Sequence, residues 1–185
     1  MKNEFLFLKN GLKNFLEVGS LVPSSKYLAR RMAKYCRQKK PLIVVELGAG
    51  TGTVTKAIAK ALPKNSKLLA FEINAELARA INIAIGASAV RVIIDRAENI
   101  GKYLAGKKAD VLISCLPLAN FGRKRAGQLI RGAVKHLDKN GIFLQFQYSP
   151  TNWPMLKKIF KSVNVEIELR NIPPALIYVC RDPIA

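Results

Sequence analysis

Leu42-Ile43-Val44-Val45-Glu46-Leu47-Gly48-Ala49-Gly50-Thr51-Gly52-Thr53 is the stretch on which the reading of the chain turns. The apolar run from Leu42 to Val45 reads as a buried strand. It ends at an acid, Glu46, and then at glycines in every second position, Gly48, Gly50 and Gly52. With no Cβ in the way, the backbone there can turn tightly and come close to a ligand. A helical pattern follows from Thr53 to Leu62. A glycine-rich loop thus joins a strand to a helix at the carboxyl end of a parallel strand, where open α/β sheets bind ligands. The alternative is a plain glycine-rich turn.

The spacing argues against a dinucleotide. In G-x-G-x-x-G the third glycine stands three residues after the second, whereas Gly48, Gly50 and Gly52 give G-x-G-x-G preceded by Glu46. That arrangement resembles motif I of class I S-adenosylmethionine-dependent methyltransferases. The resemblance implies a donor with no pyrophosphate to seat, but with a carboxylate, an ammonium and a sulfonium. Glu46 would face the positive portion, and the amides of the loop, Thr51 included, would face the carboxylate.

The length, 185 residues, favours one domain with enough chain to bury a core. Half of the residues are hydrophobic, which excludes a disordered chain. Lys and Arg number 31 against 12 Asp and Glu, a net charge of +19. Such a field calls for a polyanion, either nucleic acid or an anionic membrane surface. Cys36, Cys115 and Cys180 are far apart and the one histidine is His136. This spacing excludes a Cys/His zinc site and argues against a disulfide scaffold, so no metal is expected and a reducing cytosolic compartment is. No apolar run approaches membrane-spanning length. Lys9 and Lys13 interrupt the N-terminal apolar region, which does not read as a signal peptide.

Residues 2–17 form a first candidate helix. Phe5, Leu8, Leu12, Phe15 and Leu16 fall on one arc of its wheel, with Lys2, Lys9 and Lys13 on the arc beside it. An apolar stripe flanked by lysines suits a membrane interface; packing of the stripe on the domain is the alternative. Ser24 is a plausible cap for a helix from Ser25 to about Gln38, whose cations (Lys26, Arg30, Arg31 and Lys34 among them) are interrupted by no acid and are expected to face an anionic surface. Strands are then expected at 42–47, 67–72, 90–94, 109–114 and 142–148, each followed by a helix. Two closing strands, 164–169 and 175–181, form a β-β pair. Repeated βα units predict a Rossmann-like α/β fold: a mostly parallel seven-stranded sheet, helices on both faces, and an antiparallel edge. The whole is one domain, with membrane-facing helices in 1–40 and the core in 41–185.

Glu72, in Phe71-Glu72-Ile73-Asn74, lies 20 residues past Gly52. An acid there can accept both ribose hydroxyls, with Ile73 beside it; an exposed strand-end carboxylate is the alternative. Asp95 ends the third strand and is read as accepting from the adenine amino group, the amides of Arg96 or Ala97 facing a ring nitrogen; the alternative is a helix cap. Ser114-Cys115-Leu116-Pro117-Leu118 follows the fourth strand, with Ser114 on the donor side and Leu116 and Pro117 where an acceptor approaches. Enzymes that methylate base amines carry an aromatic after such a motif to stack on the base. Leu118 stands there instead, which suits an apolar or lipidic acceptor. His136 is distant in sequence from these loops, and no general base is assigned.

Pro23-Ser24-Ser25, Glu46-Leu47-Gly48-Ala49-Gly50-Thr51-Gly52, Leu116-Pro117-Leu118, Gln145-Phe146-Gln147-Tyr148-Ser149-Pro150 and Arg170-Asn171-Ile172-Pro173-Pro174-Ala175 occur in that order. Together, and across nearly the whole chain, they resemble bacterial phospholipid N-methyltransferases. The resemblance implies methylation of phosphatidylethanolamine to its mono- and dimethyl forms and to phosphatidylcholine, with S-adenosylmethionine consumed and S-adenosylhomocysteine released. It further implies peripheral attachment to the cytoplasmic face of the inner membrane through the N-terminal helix, with Ser24, Ser25 and Asn171 on the substrate side; a monomer is expected. Tyr148 is the candidate for the headgroup: a phenol can bond phosphate and turn a π face to a methylated ammonium. A core tyrosine is the alternative. An rRNA adenine dimethyltransferase-like enzyme, with the same donor loop and basic charge, remains as the second reading.

Overall fold

The computed structural model describes residues 24–184; the N-terminal helix expected at 2–17, with Lys2, Phe5, Leu8, Lys9, Leu12 and Lys13, lies outside them. The strands are β1 (Ile43–Leu47), β2 (Lys67–Phe71), β3 (Val90–Ile93), β4 (Ala109–Ser114), β5 (Leu137–Gln147), β6 (Phe160–Glu168) and β7 (Ala175–Pro183). They form one sheet in the order β3-β2-β1-β4-β5-β7-β6. β1 pairs in parallel with both β2 and β4, so the strand order reverses there. The crevice at such a reversal is the ligand site of open α/β sheets. β7 runs antiparallel between β5 and the edge strand β6. The expected antiparallel edge is present, and the reversed strand is the one next to the outermost.

The helices are α1 (Lys26–Ala33), α2 (Thr53–Ala61), α3 (Ala75–Ile85), α4 (Ile100–Leu104), α5 (Arg123–Val134) and α6 (Trp153–Lys157). Side chains alternate across a strand, and apolar residues at successive positions of β1, β2 and β4 therefore cover both faces. Leu28 and Met32 of α1, with Val54 and Ile58 of α2, pack on Val44, Leu68 and Val111. Ile100 of α4, with Ala126 and Ile130 of α5, packs on Val45, Leu69 and Leu112. Full burial of each such Leu, Ile or Met contributes about 1.5–3 kcal/mol. Among the described residues no helix is long and apolar enough to cross a membrane.

Local chemistry sets most of the boundaries. Asn74 Oδ1 accepts from the Glu76 and Leu77 amides and starts α3, and Gly86 at φ 55° ends it. The cap of α1 is Ser25, not Ser24: Ser25 Oγ accepts from Leu28 N at 3.2 Å. β5 begins five residues before the expected Ile142, because Leu137 is buried and pairs with Ala109 ahead of a register shift. α6 is short because Phe160 already belongs to β6, where it stacks on Phe143 with ring centroids 5.3 Å apart.

The cations of α1 do not all face outward. Arg31 Nε meets Glu166 Oε2 at 3.0 Å, and Lys34 Nζ meets Glu166 Oε1 at 2.8 Å. Arg170 Nε meets Glu168 Oε1 at 2.9 Å. Burial would raise the Glu166 carboxyl, but hydrogen bonds from Lys34, Tyr35 and Arg31 take it down to about 2. The expectation that this run of cations faces an anionic surface is thus corrected for Arg31 and Lys34, which clamp α1 to the edge strand.

Candidate functional site

The loops read for the donor, for Leu116 and Pro117, and for Tyr148 lie at the carboxyl ends of β1, β2, β3, β4 and β5, and Asn171 lies in the loop after β6. After β1 the chain turns through Gly48, Gly50 and Gly52 at φ 76°, 56° and 77°. An L side chain at such angles is strained by roughly 1–2 kcal/mol. The loop is closed from behind: Gly48 N and Ala49 N both donate to Phe71 O at 2.9 Å. A Cβ on Gly52 would stand 2.8 Å from Ile81 Cγ1, and one on Gly48 would stand 3.0 Å from Leu116 Cδ2. A Cβ on Gly50 would meet nothing within 4 Å. Two of the glycines therefore let neighbours close in, and the third faces open space, as a cradle for a ligand requires.

Glu72 is buried, and its role is double-sided. Its Oε2 accepts from Gly50 N at 2.7 Å and its Oε1 from Asn74 N at 2.9 Å. The acid at the end of β2 thus shapes the glycine loop after β1 and keeps one lone pair on each oxygen for further donors. Ile73, next in sequence, is 73% exposed. Thr51 is exposed, its hydroxyl 3.1 Å from that of Thr53.

Glu46 is fully buried. Its Oε1 accepts from Cys115 Sγ at a long 4.0 Å, and its Oε2 completes no hydrogen bond among the described residues. Burial pushes its carboxyl up to about 8; the Thr55 hydroxyl facing it draws it back, and the charge of Glu72 adds to the rise. A buried carboxylate oxygen without a partner calls for a cation or donor from a ligand. The residues thus fit S-adenosylmethionine: Glu46 for its positive portion, Gly50 for close approach, and Glu72 for hydroxyls.

At the third strand end the carboxylate read as facing adenine already has partners within the turn. Asp95 Oδ1 accepts from Arg96 N at 2.7 Å and from Asn99 Nδ2 at 2.6 Å, while Oδ2 accepts from Tyr103 OH at 2.9 Å. Those bonds, Asn99 first, hold the carboxyl below the usual range. The carboxylate organises the turn into α4, and the Arg96 amide is engaged with it, so a ring contact by either competes with these bonds. Ala97 is buried under the turn.

On the acceptor side Leu116 and Pro117 are half-buried and Leu118 is fully buried. Ser114 is buried too, its Oγ without a hydrogen-bond partner among the described residues. Gln145, paired in register with Ser114, was part of a motif in the sequence without an assigned task. Its Nε2 donates to Leu116 O at 3.1 Å and to Phe146 O at 2.8 Å, holding the acceptor loop in place. Tyr148 follows β5, is 38% exposed, and meets Phe146 edge-on at 5.9 Å. Burial pushes its phenol up and a hydrogen bond with Asn171 pulls it back. Asn171 is buried; its Oδ1 accepts from Ser25 N at 2.9 Å and its Nδ2 donates to Pro173 O at 2.7 Å. Ser25, Tyr148 and Asn171, far apart in sequence, are thus brought to one place, with half-buried Ser24 preceding them. His136 precedes β5 at the opposite end of the strands. Cys36, Cys115 and Cys180 are buried free thiols, and burial raises each of them.

The family model described as "Methyltransferase domain" matches residues 44–141, which carry the glycine loop, both acids and the acceptor loop. Over 186 residues the chain is 31% identical to an ornithine lipid N-methyltransferase of Singulisphaera acidiphila, with 98% of this chain and 97% of that protein covered. Among solved structures, the N-methyltransferase NodS of Bradyrhizobium japonicum aligns with a TM-score of 0.68 at 11% identity, covering 84% of this chain and 94% of that one. A putative rRNA methylase of Clostridium thermocellum aligns with a TM-score of 0.64 at 18% identity, covering 89% of this chain and all of that one, 100%. At such identities these two likenesses establish the fold. With the matched domain and a relative covered over nearly its whole length, the chain belongs to the class I S-adenosylmethionine-dependent methyltransferases.

Proposed function

We propose that the protein is a lipid N-methyltransferase that transfers methyl groups to the primary amine of a zwitterionic lipid headgroup, phosphatidylethanolamine in the first place, at the membrane surface. The observation that carries the reading is the convergence of Ser25, Tyr148 and Asn171, with Tyr148 in reach of Cys115, the residue before Leu116 and Pro117. They lie on the acceptor side of the donor loop, where no aromatic follows Pro117 to stack on a base. The relative named as an ornithine lipid N-methyltransferase supports a lipid amine as acceptor and favours ornithine lipid as the second reading.

Bound S-adenosylmethionine supplies an activated methyl group. The chain's own contribution is positioning and exclusion of water, which together provide much of a methyl transfer's rate. Glu72 and Glu46 hold the donor, and Gln145 fixes the carbonyl of Leu116 so that the loop presents a constant wall to the amine. Tyr148 offers its hydroxyl to the headgroup phosphate and its ring to the nitrogen as that becomes a fixed cation. The protein is read as a monomer on the cytoplasmic face of the inner membrane, with residues 1–17 as a lysine-flanked anchor.

Incubation with labelled S-adenosylmethionine and vesicles of phosphatidylethanolamine, of ornithine lipid, or with ribosomal RNA tests this reading. Label in the phosphatidylethanolamine fraction is expected, with phosphatidylcholine or its precursors appearing in a host that otherwise lacks it. Label confined to ornithine lipid selects the second reading, and label in RNA with none in lipid refutes both.

A further inference from the structure

The sheet topology places the loop between β6 and β7, Leu169-Arg170-Asn171-Ile172-Pro173-Pro174, at the same end as the acceptor side. Glu168 pairs with Ala175 at the mouth of this hairpin, and Leu176 pairs with Gln147, the residue before Tyr148. The loop is fastened from inside by Asn171, yet its apolar residues stand in solvent: Leu169 is 74% exposed and Ile172 is 82% exposed. Val165 and Ile167, also exposed, precede Leu169 at alternate positions and lead an apolar stripe along the edge strand to this tip. Arg170, the one charged residue of the loop, is engaged with Glu168 and lies over the Tyr27 ring at 4.5 Å. The tip is thus an apolar point with its own charge neutralised.

A cation stands beside it. Lys26 opens α1 immediately after Ser25, whose amide bonds Asn171, and it lies 5.4 Å from the same Tyr27 ring that Arg170 covers. Apolar residues beside an ammonium group are the composition of a surface that enters the headgroup region: hydrocarbon sinks below the phosphates while the ammonium meets them. The chain charge of +19 favours an anionic bilayer. The lysine-flanked apolar sequence of residues 1–23 also joins the fold at this loop, through Ser24 and Ser25.

We propose that the β6–β7 loop is a membrane-entering tip, with Leu169 and Ile172 seated in the bilayer so that a lipid headgroup reaches Tyr148 without leaving its leaflet. This rests on the lipid-methylation reading for its purpose but not for its test. Ile172→Trp and Ile83→Trp are each made in a Trp153→Phe background, since Trp153 is the one tryptophan. Ile83, on α3 and 85% exposed, is the control for exposure alone. Vesicles of phosphatidylglycerol and phosphatidylethanolamine carrying brominated acyl chains should shift the emission of Ile172→Trp to the blue and quench it, leaving Ile83→Trp unchanged. The double variant Leu169→Ser/Ile172→Ser should lose about tenfold or more in vesicle affinity. It should keep donor affinity and methylation of a water-soluble short-chain aminolipid. Emission of Ile172→Trp that ignores vesicles to which the protein cosediments overturns the proposal, as does a response to ribosomal RNA in place of vesicles. Quenching of Ile172→Trp with no label entering any lipid leaves the tip standing and removes the acceptor reading instead.

Discussion

Glu72 and Gly50 are joined by a 2.7 Å hydrogen bond from the glycine amide to the carboxylate, so the acid at the end of one strand sets the shape of the loop that follows its neighbour. Glu72→Ala therefore removes more than a ligand contact. It releases the Gly50 and Asn74 amides together, and donor affinity is expected to fall by roughly tenfold or more. Glu72→Gln keeps one carbonyl acceptor and offers an NH2 where an acceptor stood. Calorimetry with S-adenosylmethionine and with its 2′-deoxyribose analogue separates the two functions. If Glu72 accepts from the ribose, the analogue loses affinity on the native protein but not on Glu72→Gln; equal losses on both would assign Glu72 to the loop alone.

Gly50 and Gly52 share a positive φ but not a neighbourhood. Gly52→Ala adds to its backbone strain a Cβ 2.8 Å from Ile81 Cγ1, and a stability loss of about 2–3 kcal/mol is expected from thermal unfolding. Gly50→Ala bears the strain alone, about 1 kcal/mol. Its methyl group projects into the open space over the loop, so it should lose more donor affinity per unit of stability lost than Gly52→Ala. A Gly50→Ala protein that binds S-adenosylmethionine at full strength would place the donor elsewhere.

Glu46, with its carboxyl raised to about 8, makes both stability and donor binding depend on pH. Below its ordinary value of 4.5 the group is protonated folded and unfolded alike, and it adds nothing. Between there and about 8 the unfolded chain releases the proton and the folded protein holds it, so stability without donor falls as pH rises, and the fall ends once the folded group ionises. A donor whose positive portion meets Glu46 favours the ionised form. Affinity should therefore rise between about pH 5.5 and 7, by at most about tenfold per unit for one proton. Glu46→Gln should bind more weakly and lose that slope. A slope equal to the native one in Glu46→Gln would show that another group carries it.

Much of this arrangement was legible because its signals are local. Alternating apolar runs, Asn74 before a helix, Gly86 after one and the glycines between β1 and α2 each carry their conformation within a few residues. The place of β7 between β5 and β6 is not encoded so locally, nor is the clamp of Arg31 on Glu166, 135 positions away. A run of cations looks unopposed until the fold brings an edge strand beside it. Gln145 is a similar case: a buried amide in an apolar strand signals a polar partner, but its bond to Leu116 exists only once β4 and β5 are paired. Asp95 is different, since Asn99 stands one helical turn on and Tyr103 two, a spacing visible in the sequence as a local network.

The acidic clamp should appear in acid unfolding. Glu166 and Glu168 are both held at about 2, Glu166 by bonds from Lys34, Tyr35 and Arg31 that outweigh its burial, Glu168 chiefly by Arg170. Their contribution is complete above the unfolded value of 4.5 and is lost as pH falls through about 2. Thermal midpoints measured from about pH 5 down to 2.5 should fall less steeply for Glu166→Gln than for the native protein. At neutral pH a double-mutant cycle on Arg31 and Glu166 should give about 1 kcal/mol, since the pair is partly solvated. A coupling of zero would mean that this ion pair adds nothing to the burial of Leu28 and Met32 and to the other bonds that hold α1.

Asn171 ties the start of α1 and the β6–β7 loop to Tyr148, the proposed headgroup residue. It accepts from the Ser25 amide, donates to the Pro173 carbonyl and bonds Tyr148, and it does so while buried. Asn171→Ala leaves the Ser25 amide without its acceptor and the Pro173 carbonyl without its donor, at a cost of about 2–3 kcal/mol. Asn171→Asp retains an acceptor for Ser25 but sets a carboxylate oxygen against the Pro173 carbonyl, so it should restore part of the stability and little of the activity. Because none of its three partners belongs to the glycine loop, donor affinity is expected to stay within about twofold in both variants. The acceptor KM should rise and kcat/KM for lipid should fall, while Tyr148→Phe, which keeps the ring and loses the hydroxyl, should fall less than Asn171→Ala. Equal loss of donor binding and lipid turnover in Asn171→Ala would make the residue a general support of the fold, and the link between the start of α1 and the headgroup site would then carry no specificity.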